Sequence, residues 1–267
     1  MGDNTPDRLV YKADLQHAGT AVQESIIILS EYVKHRDWKQ LRFAVLKRNL
    51  LKKRSSVTAS NFLRASRRRF FVDRSPLPSA DSVAYAMVAG MSQVAKAQIL
   101  YPYVCKADAL VEQVVLRLVK PHLEGSFSSD LTKEDVVNFL RDESSSHPEI
   151  RSWAESLRMR WARGFLALLR DFGMMESAPS NRLLRPLVRV EVFTFFLLGL
   201  LQSGLAPAEI TRHPLWDLYF LKSPEIERLL VEAQARGWIY FSKAGDVIEL
   251  KSRYSSLGEW LEDGLEH

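Results

Sequence analysis

The chain has 267 residues, 46% of them hydrophobic and 26% charged, with 37 Lys and Arg against 32 Asp and Glu for a net charge of +5. This is the composition of a soluble globular protein with enough apolar content for one large or two ordinary domains, so neither a disulfide nor a structural metal is needed to hold it. The one cysteine, Cys105, excludes an internal disulfide and, between Val104 and Ala107, reads as a small buried hydrophobe in a reducing, cytoplasmic compartment.

Residues 1–19 are polar, with no apolar run behind a charge cluster, and read as extended and without a signal peptide. Thr20 is the predicted cap of a first helix, whose Val22, Ile26, Leu29 and Val33 share one face. Asp37 is the predicted cap of a second, WKQLRFAVLKRNLL, with Trp38, Leu41, Val45 and Leu46 at helical spacing and Lys39, Arg42, Lys47 and Arg48 opposite. Leu51–Thr58 breaks the pattern, and a third helix, ASNFLRASRRRFF, follows from a cap near Thr58 or Ser60. Phe62, Leu63, Ser66 and Phe70 line its inner side, together with Phe43 and Val45 from the second helix, and its arginines take the outer side. Two helices about a polar turn, the second rich in arginine, is the outline of a helix-turn-helix.

Pro76 and Pro78 end this part. Residues 80–100 are rich in small residues and read as one packed helix, interrupted at Tyr101-Pro102-Tyr103. Another apolar helix over 104–120 stops at Pro121. The Ser/Gly segment Gly125–Asp130 marks a boundary between an N-terminal helical domain, 1–125, and a C-terminal one, 126–267. Thr132 and Asp135 form a capping-box variant. A long helix from Ile150 to Gly173 carries Trp153, Leu157, Trp161, Phe165, Leu168 and Phe172 on one stripe. Residues 174–190 read as a hairpin limited to an edge by Pro186. The most apolar segment, Val192–Leu201, is far short of the ~20 residues that cross a bilayer and reads as a buried core helix. Ser223-Pro224 opens a helix that ends at Gly237, and strands around 238–241 and 247–250 complete a helix and hairpin such as closes a winged helix. Leu265-Glu266-His267 reads as the start of an expression tag. The fold class is thus mainly α: two helical domains with a small C-terminal β-hairpin.

One stretch concentrates the charge. Between Arg42 and Arg74 there are eleven basic residues and a single acid, Asp73, so the stretch carries +10 and the remainder of the chain −5. Such a block calls for an anionic partner or full solvation. The predicted DNA-contacting residues are Arg42, Lys47, Arg48, Lys52, Lys53, Arg54, Arg64, Arg67, Arg68 and Arg69, with Ser55, Ser56, Thr58 and Asn61 as short polar phosphate contacts near a helix start. Arg163 and the hairpin residue Lys243 are secondary candidates. The other readings are an acidic protein partner, which makes the chain an interaction scaffold, and RNA. A membrane surface fits less well, because the basic faces lack a Trp/Leu stripe that would insert.

No catalytic motif competes with this. There is no P-loop and no Gly-rich dinucleotide fingerprint. His17, His35, His122, His147 and His213 are scattered, and no Cys or His pair has metal-ligand spacing. No enzyme, cofactor or metal is expected.

The residues Asp37-Trp38, Asn49-Leu50-Leu51, Arg54-Ser55, Thr58-Ala59 and the Arg67–Phe70 end resemble the signature of the BrxA family of BREX phage-defence systems, and the order of later elements is similar over about residues 8–255. The resemblance implies a small, non-enzymatic, largely helical component that binds DNA, has a fold like NusB-type RNA-binding proteins, and acts beside the other BREX components.

Overall fold

The computed structural model describes residues 11–13, 15, 19–125, 129–245 and 247–265. Most of residues 1–19, the centre of the Gly125–Asp130 segment with its domain boundary, and most of the tag reading fall outside these, but the extended reading of 1–19 fails at Leu15, which is helical with its carbonyl accepting from the Gly19 N–H at 2.9 Å. The protein is mainly helical, and the sheet found among the described residues is a two-stranded antiparallel hairpin near the C-terminus. By contact the chain divides into two compact units, Met1–Thr20 with Val104–Leu184, and Ala21–Tyr103 with Arg185–His267. No helix among the described residues is long and apolar enough to cross a membrane.

In the first unit the helix Lys133–Glu143 opens on the predicted capping box. Thr132 Oγ1 accepts from the Asp135 N–H at 3.2 Å and Asp135 Oδ2 accepts from the Thr132 N–H at 2.7 Å. Its Val136, Val137 and Leu140 are buried, and it packs on the helix Glu155–Asp171, where the Trp161 and Phe165 rings stack with centroids 5.4 Å apart. The long helix expected from Ile150 is two, Pro148–Arg151 and Glu155–Asp171. At the break the Ser152 hydroxyl turns back onto the Glu149 carbonyl at 2.7 Å, a local hydrogen bond that competes with the helix ladder. Pro121 does not end its helix. The chain runs Ala109–Val114, then a π-helical turn Val115–Val119, then Lys120–Glu124. The wider turn lies just before the residue that has no N–H to give. The hairpin expected over 174–190 contracts to single bridges, Met175 with Leu183 and Asp130 with Arg182. Cys105 is a free, buried thiol.

The second unit contains the helices α1 (Val22–His35), α2 (Trp38–Leu46), α3 (Ser56–Phe70) and α4 (Ala80–Val88), and the part up to Tyr103 of α5 (Gln93–Ala107). Thr20 does not cap α1. The cap position is Ala21, held left-handed at φ 52° with no side-chain bond. The packed helix expected over 80–100 is divided at Ala89–Ser92 into α4 and α5, and α5 then carries on through Pro102. The apolar run becomes the helix Val190–Gln202, with every residue from Val192 to Leu200 buried. Its Gly199 meets Pro78 so closely that a Cβ there would lie 2.5 Å from the proline Cγ. The helix Ser223–Ala235 leads into β1 (Ile239–Ala244) and β2 (Val247–Ser252), paired from Ile239 opposite Ser252 to Ala244 opposite Val247.

The basic helices rest on a compact cluster of their own. Ile28 of α1, Leu41 and Val45 of α2, Leu51, and Ala59 and Leu63 of α3 are buried together, with Tyr32, Trp38, Phe62 and Phe71 packed at its edges. At ~25 cal/mol per Å² of apolar surface, burying such side chains is what holds α2 and α3 against each other despite their like charge.

Candidate nucleic-acid interface

The candidate interface consists of α2, α3 and the nine-residue connection 47–55 between them. Asp37 caps α2, its Oδ1 accepting from the Gln40 N–H at 2.7 Å. The helix was expected to reach Leu51 but ends at Leu46. Asn49 and Lys52 then take left-handed backbone, φ 51° and 50°. Asparagine suits this, since its short polar side chain stabilises the turn, and here Asn49 Oδ1 accepts from the Lys53 N–H at 2.9 Å. The α3 cap is Ser55, earlier than Thr58 or Ser60, with its hydroxyl accepting from the Val57 N–H at 3.2 Å. A connection of this length is longer than the three or four residues of a helix-turn-helix.

The charged residues fall into distinct groups. Arg42, Lys47, Arg48, Lys52, Arg54, Arg64 and Arg67 are exposed, and so is Lys39 beside them. Among the described residues none of these eight is in an ion pair. Lys53 is half-buried and bridges to Glu24 of α1 at 2.6 Å. Arg68 is half-buried, and Arg74 donates to its carbonyl at 2.6 Å. Burial first, and then the charge of Arg68, lower the Arg74 pKa. Arg69 departs from the outer face assigned to it and is 2% exposed. It sits at i+3 from buried Ser66 and next to buried Phe70, on the arc that faces the core. Ser55, Ser56 and Thr58 are exposed around the start of α3, whose first turn holds no acidic residue, and Asn61 is half-buried. The positive end of the helix dipole is therefore uncompensated there.

Phe43 also departs from its expected place. It is 49% exposed, while Val45 is fully buried. Phe43, Trp38 and Leu46 floor an open groove of about 550 Å3 on the outer side of α2. Lys39, Arg42, Lys47 and, from α3, Arg67 make its rim. The Arg67 guanidinium lies 5.2 Å from the Trp38 ring centre and that of Arg48 5.3 Å from Phe43, both cation–π contacts. Trp38 packs edge-on against Phe71 at 5.0 Å, so the N-terminal end of α2 lies beside the C-terminal end of α3. Of the secondary candidates, Arg163 is exposed in the first unit, and Lys243 is committed to an ion pair with Glu227. No group of three His, Cys, Asp or Glu able to hold a metal exists among the described residues.

The family model BrxA matches residues 10–197 and so takes in α2, α3 and the connection between them. The chain belongs to the BrxA family. This BrxA-family chain is also similar to a solved structure, the crystal structure of an uncharacterized protein from Magnetospirillum magneticum. The TM-score is 0.60 at 19% identity, over 73% of this chain and 96% of that one. At that identity the likeness concerns the fold alone. Among curated proteins none matches.

Proposed function

We propose that this chain is a non-enzymatic DNA-binding component of a BREX-type phage-defence system, which grips the backbone of duplex DNA through α2, α3 and the loop between them. The observation that carries the reading is the set of exposed cations, Arg42, Lys47, Arg48, Lys52, Arg54, Arg64 and Arg67, that meet no carboxylate among the described residues and stand on a packed helical pair. A solvated basic face with no partner would be expected to recruit acidic neighbours to relieve its repulsion. Family membership supplies the BREX setting, with the other BREX components as further partners, and a cytoplasmic location goes with that setting. Few Asn or Gln side chains stand among these cations, so binding is weakly sequence-specific.

A salt series on a duplex of ~20 base pairs tests this. Each phosphate neutralised contributes about −0.9 to the slope of log K against log salt, and a slope of about −4 to −6 is expected. The triple variant Arg42→Glu, Arg64→Glu, Arg67→Glu should bring the slope close to zero. Unchanged duplex affinity of that variant at ~100 mM salt would overturn the proposal. Tighter binding of structured RNA than of duplex DNA would redirect it to an RNA-binding protein, and retention of a BREX partner after nuclease treatment, lost on mutating Lys52 and Arg54, to a scaffold.

A further inference from the structure

The groove on α2 holds two features that cost the free protein stability and that a single kind of ligand relieves together. Phe43 leaves half its surface in water although it is no part of the cluster under α2. Around it, Lys39, Arg42, Lys47 and Arg67 converge with no carboxylate among the described lining residues, so each raises the electrostatic cost of the next. A flat aromatic group flanked by anions would cover the ring and neutralise the rim. The volume, about 550 Å3, lies within the ~300–1,000 Å3 range of sites that accept a ligand of nucleotide size or larger. The backbone of an intact duplex offers the anions without the aromatic face, because its bases are stacked on one another. An unpaired nucleotide offers both.

Resting on the reading of the basic pair as a nucleic-acid surface, we propose that this groove takes an unstacked base of single-stranded or locally unpaired DNA. The base stacks on Phe43, and the flanking phosphates are held by Lys39, Arg42, Lys47 and Arg67. Arg48, already over the Phe43 ring, is placed to stack on the base or to yield to it. Trp38 extends the apolar floor but is tied to Phe71 and Arg67, so Phe43 is the more exposed platform. The protein then does more than grip a duplex: it prefers DNA that has been opened.

Anisotropy titrations at matched salt should use three labelled DNAs of one sequence: the duplex, the duplex with a three-nucleotide bulge, and the single strand. The wild type is expected to bind the bulged and single-stranded forms about tenfold more tightly than the duplex. Phe43→Ala should remove that preference while leaving duplex affinity within about twofold, and Phe43→Trp should keep it, since indole stacks on a base at least as well. Equal wild-type affinity for all three DNAs, or a Phe43→Ala variant that keeps the preference, overturns the inference and leaves the duplex reading standing. Binding of all three unaffected by Arg42→Glu, Arg64→Glu, Arg67→Glu overturns the duplex reading and, because Arg42 and Arg67 are on the groove rim, the inference with it. An acidic tyrosine-containing peptide that binds more tightly than any of the three DNAs would assign the groove to a protein partner and also overturn the inference.

Discussion

Lys53 Nζ lies 2.6 Å from Glu24 Oε1, and this bridge ties the loop between α2 and α3 back to the first turn of α1. The lysine also stands 5.0 Å from the centre of the Phe62 ring. Its neighbour Lys52 has no such commitment. It is exposed, in left-handed backbone, and in no ion pair among the described residues. Two adjacent lysines of one basic run thus do different things. Lys52→Ala should lower the salt slope of DNA binding by about one unit, while Lys53→Ala should leave it within experimental error. Lys53→Ala should cost at most ~1 kcal/mol of stability, since the bridge is partly exposed and screened. Paired salt titrations and denaturation curves of the two variants check both statements.

That contrast also shows how far the sequence carried the interface. The basic block, the Asp37 cap, the Thr132–Asp135 capping box and the closing hairpin are legible because each is a local signal: a charge count, a short polar residue before an apolar period, or a turn between alternating runs. Phe43 and Arg69 were not. Phe43-Ala44-Val45-Leu46 is four apolar residues in succession, so the period alone does not say which one stays out, and the position of α3 decides it. In Arg67-Arg68-Arg69 the run of charge hid the geometry. With Leu63, Ser66 and Phe70 inward, a residue three after Ser66 falls toward the core whatever its type. The helix through Pro102 likewise defeats a local rule, because burial of Tyr101, Tyr103 and Val104 on the continuing helix outweighs one missing hydrogen bond.

The loop that presents the cations depends on Asn49. Its φ of 51° is one that β-branched residues avoid, and its Oδ1 holds the Lys53 N–H at 2.9 Å. Asn49→Gly keeps the backbone at ease and loses the acceptor, for a cost of about 0.5–1.5 kcal/mol. Asn49→Val adds left-handed strain and should cost about 2–4 kcal/mol in all. Urea denaturation of the two variants should keep this order, with Val the less stable.

Pro78 is held from two sides, and the first is a glycine. A Cβ on Gly199 would come within 2.5 Å of the Pro78 Cγ and 3.1 Å of its Cδ. A ring cannot swing aside as a flexible side chain does, so the helix Val190–Gln202 and the segment before α4 that carries Pro78 must separate. Gly199→Ala is therefore expected to destabilise by about 1–3 kcal/mol although alanine favours helices, with a lower melting temperature as the readout.

On the other side the Tyr103 hydroxyl donates to the Pro78 carbonyl at 2.7 Å. Tyr103 is buried, and burial pushes its phenol pKa well above the usual value, an effect that the positive charge of Arg74 only partly opposes. Because the folded value is raised above the unfolded one, the stability that the neutral phenol contributes is fully present below about pH 10. It is lost as pH rises past that point, since the unfolded chain ionises there and the folded one does not. Tyr103→Phe keeps the ring and leaves the Pro78 carbonyl without its donor, at a cost of about 1–3 kcal/mol at neutral pH. The variant also lacks the alkaline titration. The stability gap between wild type and Tyr103→Phe should therefore stay constant from pH 6 to about 9 and shrink by up to ~1.4 kcal/mol per pH unit above 10. Urea midpoints of both proteins measured across that range would show the two curves converging. Curves that stay parallel through pH 11 would mean that the phenol ionises as easily in the folded protein as in the unfolded chain.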